Sequence, residues 1–571
     1  MRIFIRAVVS VVVASFALLV CPGASVADVD PADIDALFTK WDRADSPGLA
    51  VGVFVDGKAV YTAGYGMANL DEGLPITPDS VFDTFSMAKS FTTACIAILL
   101  DEGRITLDDD VRQHVPELPA YAETIRIRHL LRCRTGLQDY IHAMMLSGRE
   151  IDDVWTKDDV IDMICRQQTT PFSPGEKYNY SNTDYFLLAL IVERVSGKSL
   201  RDFATERIFA PLEMHDTFFD DDRSLPQKKR VHGYGRREDG SYHRIDMNSS
   251  TVGPLGLKTT VRDLLKWDRN IREDSLGTGR RLQEFFSTGY LINNHNCLCA
   301  YPGREYRGLR RDCQTGGGPG FFAHFVRFPD HGLSIALLTN LSERDQWHSM
   351  TQIVGDIAQL YVGDHFAEPS ESVVWDDNPQ TVQLTTAQLR ARTGGYQKPD
   401  GTFVRLVFDD GVLALDKFNA SYPPSTPIRL TPLSEYRFRD ADNYVPYDLV
   451  FDSESEEQPD SITVRYQDGY KQQWKRVELV SPGQAELKAY AGEFYCSNLG
   501  TVHRISVDDG QLFVQFNFGR RKRLVPATAD VFVPATGKAD NMRIEFFRDK
   551  TGNVQSFEVT FERVHHRFER R

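Results

Sequence analysis

The stretch TFSMAKSF, residues 84–91, sets Ser86 three positions ahead of Lys89 at the head of an apolar helical run, SFTTACIAILLDEGR, that stops at Gly103. Residues three apart share one face of a helix, so the spacing predicts the Lys89 amine beside the Ser86 hydroxyl. A hydroxyl is a weak nucleophile until a neighbouring base takes its proton. A lysine serves as that base only where burial or a nearby cation lowers its ordinary pKa of about 10.4. Ser and Lys meet at this spacing by chance in any long chain, so the reading depends on further polar elements.

Two such elements are present. PGEKYNYSNTDY supplies Tyr180, Ser181 and Asn182 ahead of a second helical run, and QTGGGPGFFAHFVRFP supplies Gln314, Thr315 and the glycines Gly316 to Gly318 ahead of a strand. A Pro-Asp-His-Gly turn and a second apolar run follow, the pattern of a β-hairpin. A Ser-x-x-Lys pair, a Tyr-x-Asn element and an x-x-Gly strand element in this order resemble the penicillin-recognising serine hydrolases. That group holds the class C β-lactamases, D-Ala-D-Ala carboxypeptidases, related esterases and D-aminopeptidases. LLRCRTGLQDY, GLKTTVRDLLKWDRN and GGGPGFFAHFVRFPDHGLSIALLTN also read like family segments, and the resemblance covers most of residues 31–362.

The resemblance implies an α+β fold of the β-lactamase/transpeptidase type, an antiparallel sheet flanked by helices. It implies an acyl-enzyme route in which Ser86 attacks, Lys89 and Tyr180 share the proton with the formal base left open, and Asn182 orients Lys89 and the substrate amide. The N–H groups of Ser86 and Gly317 would hold the oxyanion, with Gln314, Thr315 and Gly316 lining the substrate. Neither a metal nor an organic cofactor is implied. Where relatives mostly carry Lys or His, Gln314 offers no cation to a substrate carboxylate. That favours amides with a D-residue at the cleaved side, or esters, over β-lactams and D-Ala-D-Ala peptides. His324 on the following strand is a candidate replacement cation, against its commoner structural role. An esterase or weak β-lactamase or carboxypeptidase on the same residues is the alternative within the class. From another class comes a non-catalytic ligand-binding or assembly module; Gln314 alone speaks for it, and the joint presence of Ser86, Lys89, Tyr180 and Asn182 speaks against it.

The chain's first residues read as an export signal. Arg2 and Arg6 precede the apolar run of residues 7–20, and ASVAD offers a cleavage site after Ala27, so residues 1–27 are expected to leave a periplasmic or secreted protein. The run is shorter than the roughly 20 residues of a spanning helix, so no stable membrane span is expected after signal removal. With 66 basic against 80 acidic residues and no long basic run, nucleic acid is excluded as a partner, leaving a small-molecule or peptide substrate. Signal removal also takes Cys21, leaving an odd number of cysteines. Cys95 is read as a buried apolar residue; His295, Cys297, Cys299 and Cys313 are read as a zinc set, a disulfide from Cys313 to Cys297 or Cys299, or free thiols.

Residues 28–365 form the expected hydrolase domain, and the polar stretch 366–380 reads as a linker. Beyond it, aromatic and β-branched residues alternate with polar ones between Asp-Gly turns, and two small all-β barrels or sandwiches are expected at 381–480 and 485–571. They repeat one plan: RTGGYQKPDGTFVRLVFDDGVLAL from Arg392 resembles YAGEFYCSNLGTVHRISVDDGQLFVQF from Tyr490. Two β domains behind such a hydrolase resemble the three-domain layout of the D-aminopeptidases, where a loop of a β domain reaches the active site. NASYPPSTPIRL and NFGRRKRLVPATADVF, the latter holding the basic run Arg520 to Arg523, are the candidate loops here.

Overall fold

The computed structural model describes residues 27–571 apart from 151–152, 223–228, 238–239, 246, 248–249, 278–304, 343–345, 368–378, 400, 418–427, 441–446, 452–459, 467–470, 518, 520, 536–541 and 562–563. Residues 1–26 of the expected signal, His295, Cys297, Cys299, Arg520, most of the expected linker and most of NASYPPSTPIRL lie outside the described residues.

Strands β1 (Leu49–Val55) and β2 (Lys58–Tyr65) pair with three later ones, β3 (Asp312–Gly318), β4 (Phe321–Phe328) and β5 (Leu333–Thr339), in the antiparallel order β3-β4-β5-β1-β2. Side chains alternate across a strand, and both faces of this sheet are covered. Val51, Val53, Phe322, Val326, Ile335 and Leu337 pack against helices α1 (Pro31–Phe38) and α6 (Gln346–Val362). Ala50, Phe54, Ala323, Phe325, Ala336 and Leu338 face the other way, into the core holding α2 (Ala88–Asp101), α4 (Asn182–Ser196) and α5 (Val261–Glu273). Helices on both faces explain why β1 is buried along nearly its whole length. Every residue of α2 from Ala88 to Leu100 is buried, which is why its apolar residues are not confined to one stripe.

The C-terminal third is all β in two units. Gly394–Gln397 begins a nine-stranded sheet whose two edge strands, Ile428–Arg429 and Thr431–Pro432, are separated in the chain by Leu430 alone, so the sheet curls almost to closure. Gly492–Cys496 begins a closed eight-stranded barrel that ends in the hairpin β6 (Val554–Phe561) and β7 (Val564–Arg570). The repeat seen in the sequence is a repeat of structure. Each unit opens with a short helix, Thr386–Ala391 or Gln484–Tyr490, and each sets its first-strand aromatic opposite an arginine of its last strand, Tyr396 by Arg476 and Phe494 by Arg570.

The barrel's core is continuous with the hydrolase core. The join is made at helix α3 (Tyr140–Leu146): His503 Nε2 donates to the Leu146 carbonyl at 2.8 Å, and Phe561 meets the His142 ring edge-on at 4.9 Å. Gly148, at φ 94°, lies so close that a Cβ would stand 2.8 Å from the Phe516 carbonyl oxygen, so a side chain here would force the two surfaces apart. Cys95, Cys133, Cys165 and Cys496 are free thiols, Cys95 buried as expected, and Cys313 is disulfide-bonded to a partner outside the described residues.

Candidate active site

Ser86 sits in a tight turn, Phe85–Met87, that feeds directly into α2. Phe85 occupies the left-handed region at φ 45°, a costly conformation for a residue with a large side chain. Neighbouring groups hold it there. The Phe85 N–H donates to Asp83 Oδ1 at 3.1 Å, Asp83 is ion-paired with the cross-strand Lys258, and Thr84 donates through N–H and Oγ1 to the Leu257 carbonyl at 3.0 and 2.9 Å. Edge strand β3 presses on the turn. A Cβ at Gly316 would overlap the Thr84 carbonyl and stand 2.6 Å from the Ser86 nitrogen, so only glycine permits the approach. Ser86 itself is half-buried, within reach of a molecule in solution.

Lys89 is 7% exposed, and its amine has three oxygens around it: Ser86 Oγ at 3.1 Å, Asn182 Oδ1 at 2.8 Å and the Pro254 carbonyl at 2.9 Å. Burial brings its pKa down to about 7, against a smaller upward pull from Cys133 and Asp139. The amide and peptide oxygens only accept, so a neutral amine spends its two N–H groups on Asn182 and Pro254 and turns its lone pair to Ser86. Tyr180 Oη lies 2.6 Å from Ser86 Oγ. Burial pushes the Tyr180 phenol well above its usual range, so it remains protonated and donates to Ser86. The geometry therefore offers a neutral lysine as proton acceptor and a protonated tyrosine as donor, both on one serine oxygen.

Asn182 begins α4, capped by Ser181, whose Oγ accepts from the Asp184 N–H at 3.0 Å. Its amide is anchored from behind: Asp139 Oδ2 accepts from Asn182 N at 2.6 Å and from Asn182 Nδ2 at 2.8 Å. Asp139 is the N-cap of α3, accepting from Ile141 N at 3.0 Å through Oδ1. Although burial opposes it, His142, the Asn182 N–H and Lys89 together hold the Asp139 carboxyl below the usual carboxylate range, so it is ionised.

Ser86, Lys89, Tyr180, Asn182 and Gly316 thus meet at one point. Residues directly opposite in an antiparallel pair share a face. Gln314 pairs with Phe325 and Gly316 with Ala323, so both face α2; Gln314 is buried, and its Oε1 makes no hydrogen bond. Thr315 pairs with His324 and is turned to the opposite face, while Gly317 is exposed on the edge strand. His324 alternates with Phe322 and Val326, whose side chains pack toward α1 and α6, and burial pushes it down to about 3. It is a neutral residue on the wrong face of the sheet and does not replace the cation that Gln314 lacks. Asp139, the Pro254 carbonyl and the Asp83–Lys258 pair were not singled out by sequence reasoning. LLRCRTGLQDY contains Asp139, and an aspartate followed by a helical turn is an N-cap signal that marks the residue without revealing what else it holds. Of the two candidate β loops, NFGRRKRLVPATADVF lies against Gly148 through Asn517 and Gly519. The last hairpin also reaches toward the site: the His565 N–H donates to Gln138 Oε1 at 3.1 Å, one residue from Asp139.

A half-buried serine paired with a buried lysine under a glycine-lined edge strand fits the serine hydrolases of the Ser-x-x-Lys type. This chain belongs to the Beta-lactamase family, which matches residues 34–359, and its homologues are serine hydrolases. Residues 476–570 match a domain of unknown function, DUF3471. Penicillin-binding protein 4* of Bacillus subtilis is 26% identical over 408 residues, 67% of this chain and 85% of that protein. A D-aminopeptidase of Cereibacter sphaeroides is 27% identical over 323 residues, 54% of this chain and 60% of its own length, so this chain spans little more than half of that relative. The octameric penicillin-binding protein homologue from Pyrococcus abyssi shares the fold, with a TM-score of 0.52 at 20% identity over 78% of this chain and 100% of that one.

Proposed function

We propose that this protein is an exported serine hydrolase that cleaves neutral amide, peptide or ester substrates of D-aminopeptidase type through an acyl-enzyme on Ser86. The observation that carries the reading is the oxygen of Ser86, held 3.1 Å from a lysine amine that burial keeps near neutrality and 2.6 Å from a tyrosine hydroxyl. Lys89 takes the Ser86 proton as Oγ bonds to the substrate carbonyl carbon. The N–H groups of Ser86 and Gly317 receive the oxyanion, and its collapse breaks the bond to the leaving amine or alcohol, which is protonated through Tyr180. Water, deprotonated by the same pair, then attacks the ester and frees Ser86. Gln314 carries no charge where a cation would meet a substrate carboxylate, which suits an uncharged substrate group better.

Export rests on the signal-like residues 1–27 and is supported by the Cys313 disulfide, a bond typical of oxidising compartments. Among the described residues no helix is long and apolar enough to cross a membrane.

The test is intact mass after a fluorophosphonate serine probe. One adduct on the wild type that is absent from Ser86→Ala is expected, with the labelling rate rising through an apparent pKa of about 7 as Lys89 loses its proton. A folded wild type that takes no adduct would sink the reading in favour of a binding module. D- and L-aminoacyl amides, esters and β-lactams then sort the substrates.

A further inference from the structure

We propose that Asp139, clamped between α3 and the last hairpin of the C-terminal barrel, is a positioning residue that fixes the Asn182 amide, and through it the Lys89 amine, in the orientation that serves Ser86. The inference rests on the hydrolase reading above.

Three N–H donors converge on this one carboxylate, with a ring nitrogen beside them. Oδ2 accepts from Asn182 N at 2.6 Å and Nδ2 at 2.8 Å, while Oδ1 accepts from Ile141 N at 3.0 Å and faces His142 Nδ1 at 3.3 Å. An ionised carboxylate has no proton to give, so the amide of Asn182 can meet it only with its NH2 end. That leaves Oδ1 of Asn182 toward Lys89, where it accepts at 2.8 Å. Without the carboxylate the amide is free to turn over. Its NH2 would then face the Lys89 N–H groups, and the lone pair that Ser86 needs would be drawn elsewhere.

The carboxylate is in turn held from the barrel side. His142 packs edge-on against Phe561 at the end of β6, and the neighbouring Gln138 accepts from His565 N at 3.1 Å on β7. Gln138 is also tied to the catalytic side: its carbonyl accepts from Thr183 Oγ1 at 2.8 Å, next to Asn182. A chain of short contacts thus runs from the barrel hairpin through Gln138, Asp139 and His142 to Asn182, Lys89 and Ser86, and it makes the barrel part of the hydrolytic machinery.

The charged and titratable groups around Lys89 are Asp139 on the α3 cap, Cys133 on the preceding turn, Tyr180 before α4, and Tyr185 on α4; those around Asp139 are His142, Lys89 and Asp184. Of these, the Asp139 anion and Cys133 pull the Lys89 pKa upward. Removing the Asp139 charge lowers that pKa and moves the acid limb of the rate profile to lower pH, while losing the amide orientation lowers the plateau. A residue with a merely structural role would not move the acid limb.

The test is the second-order rate of fluorophosphonate labelling against pH on the full chain, for wild type, Asp139→Asn and His142→Leu, with the thermal midpoint of each. Asp139→Asn is expected to lower the plateau by up to about 100-fold and to move the acid limb down in pH. His142→Leu, which keeps the carboxylate but removes the ring nitrogen facing it and the ring against Phe561, is expected to show a smaller slowing with the acid limb in place. If Asp139→Asn does not fold, His142→Leu decides: labelling at the wild-type rate overturns the proposal. A folded Asp139→Asn with wild-type rate and acid limb overturns the positioning role alone. A wild type that takes no label overturns the hydrolase reading and this proposal with it.

Discussion

The two C-terminal β units grow from one sequence plan and end in different relations to the catalytic domain. Both turn the hairpin between their second and third strands on Asp-Gly, with Asp410 and Gly411 at φ 44° and 84° and Asp509 and Gly510 at φ 48° and 69°, the left-handed pair that a two-residue hairpin demands. The middle sheet stops short of closure and buries a core of its own, around Tyr396, Phe438, Leu449 and Trp474. The barrel closes, and its core of Phe494, Phe546, Phe557 and Phe568 runs on into the core around α2 and α4. Shared local chemistry therefore sets the hairpins, while the surface each unit meets sets its part in the whole.

The comparison breaks most readily in the two cores. Phe557→Ala and Trp474→Ala should each cost about 3–5 kcal/mol. Because the barrel and hydrolase share a core, Phe557→Ala is expected to lower the calorimetric transition that also ends fluorophosphonate labelling. Trp474→Ala should lower a separate transition and leave labelling intact. Equal loss of labelling in both variants would show the middle sheet to be coupled to the site as well.

Acid should separate the two units next. His503 and His566 are buried in the barrel, where desolvation pushes them down to about 3 and about 4 from an ordinary 6.5, whereas residues 381–480 contain no histidine. A folded-state pKa below the unfolded one means that the unfolded chain binds more protons as pH falls below about 6.5, so stability is lost from there down to the folded values. The loss is about 2 kcal/mol for each histidine by pH 5. Hydrogen exchange, corrected for its intrinsic pH dependence, should show barrel strands opening at pH 5 before those of the middle sheet. The reverse order would contradict the burial of these rings.

The smallest effect is expected at the rim of the barrel interface. Arg166 Nη1 donates to the Leu499 carbonyl at 3.1 Å, with its side chain 43% exposed. Arg166→Ala should shift the denaturant midpoint by no more than about 1 kcal/mol. A loss several times larger would place the strength of the join at its rim instead of in the shared core.

Much of this was legible in the residue order. Ser86 and Lys89 are neighbours because a helix repeats every three to four residues, and Tyr180 with Asn182 stands at a helix start announced by Ser181. Strand parity, by contrast, is a matter of register. The sequence allows His324 to stand in for the missing cation of Gln314; pairing of Thr315 with His324 turns it to the far face, where it packs beside Phe322. Asp139 reads locally as a helix cap, and its hold on Asn182, distant in the chain, depends on how α3 and α4 are packed.

What the sequence determined by itself is what short-range physics encodes: the turn and helix carrying Ser86 and Lys89, the glycines of β3, the Asp-Gly hairpins, the repeated β plan and the family to which the first domain belongs. Only the tertiary structure decided which carboxylate holds the Asn182 amide, which hairpin backs it, and which of the two similar β units joins the catalytic core. Those outcomes turn on desolvation and on contacts between residues hundreds of positions apart, such as His503 with Leu146 and His565 with Gln138, and no local pattern records them.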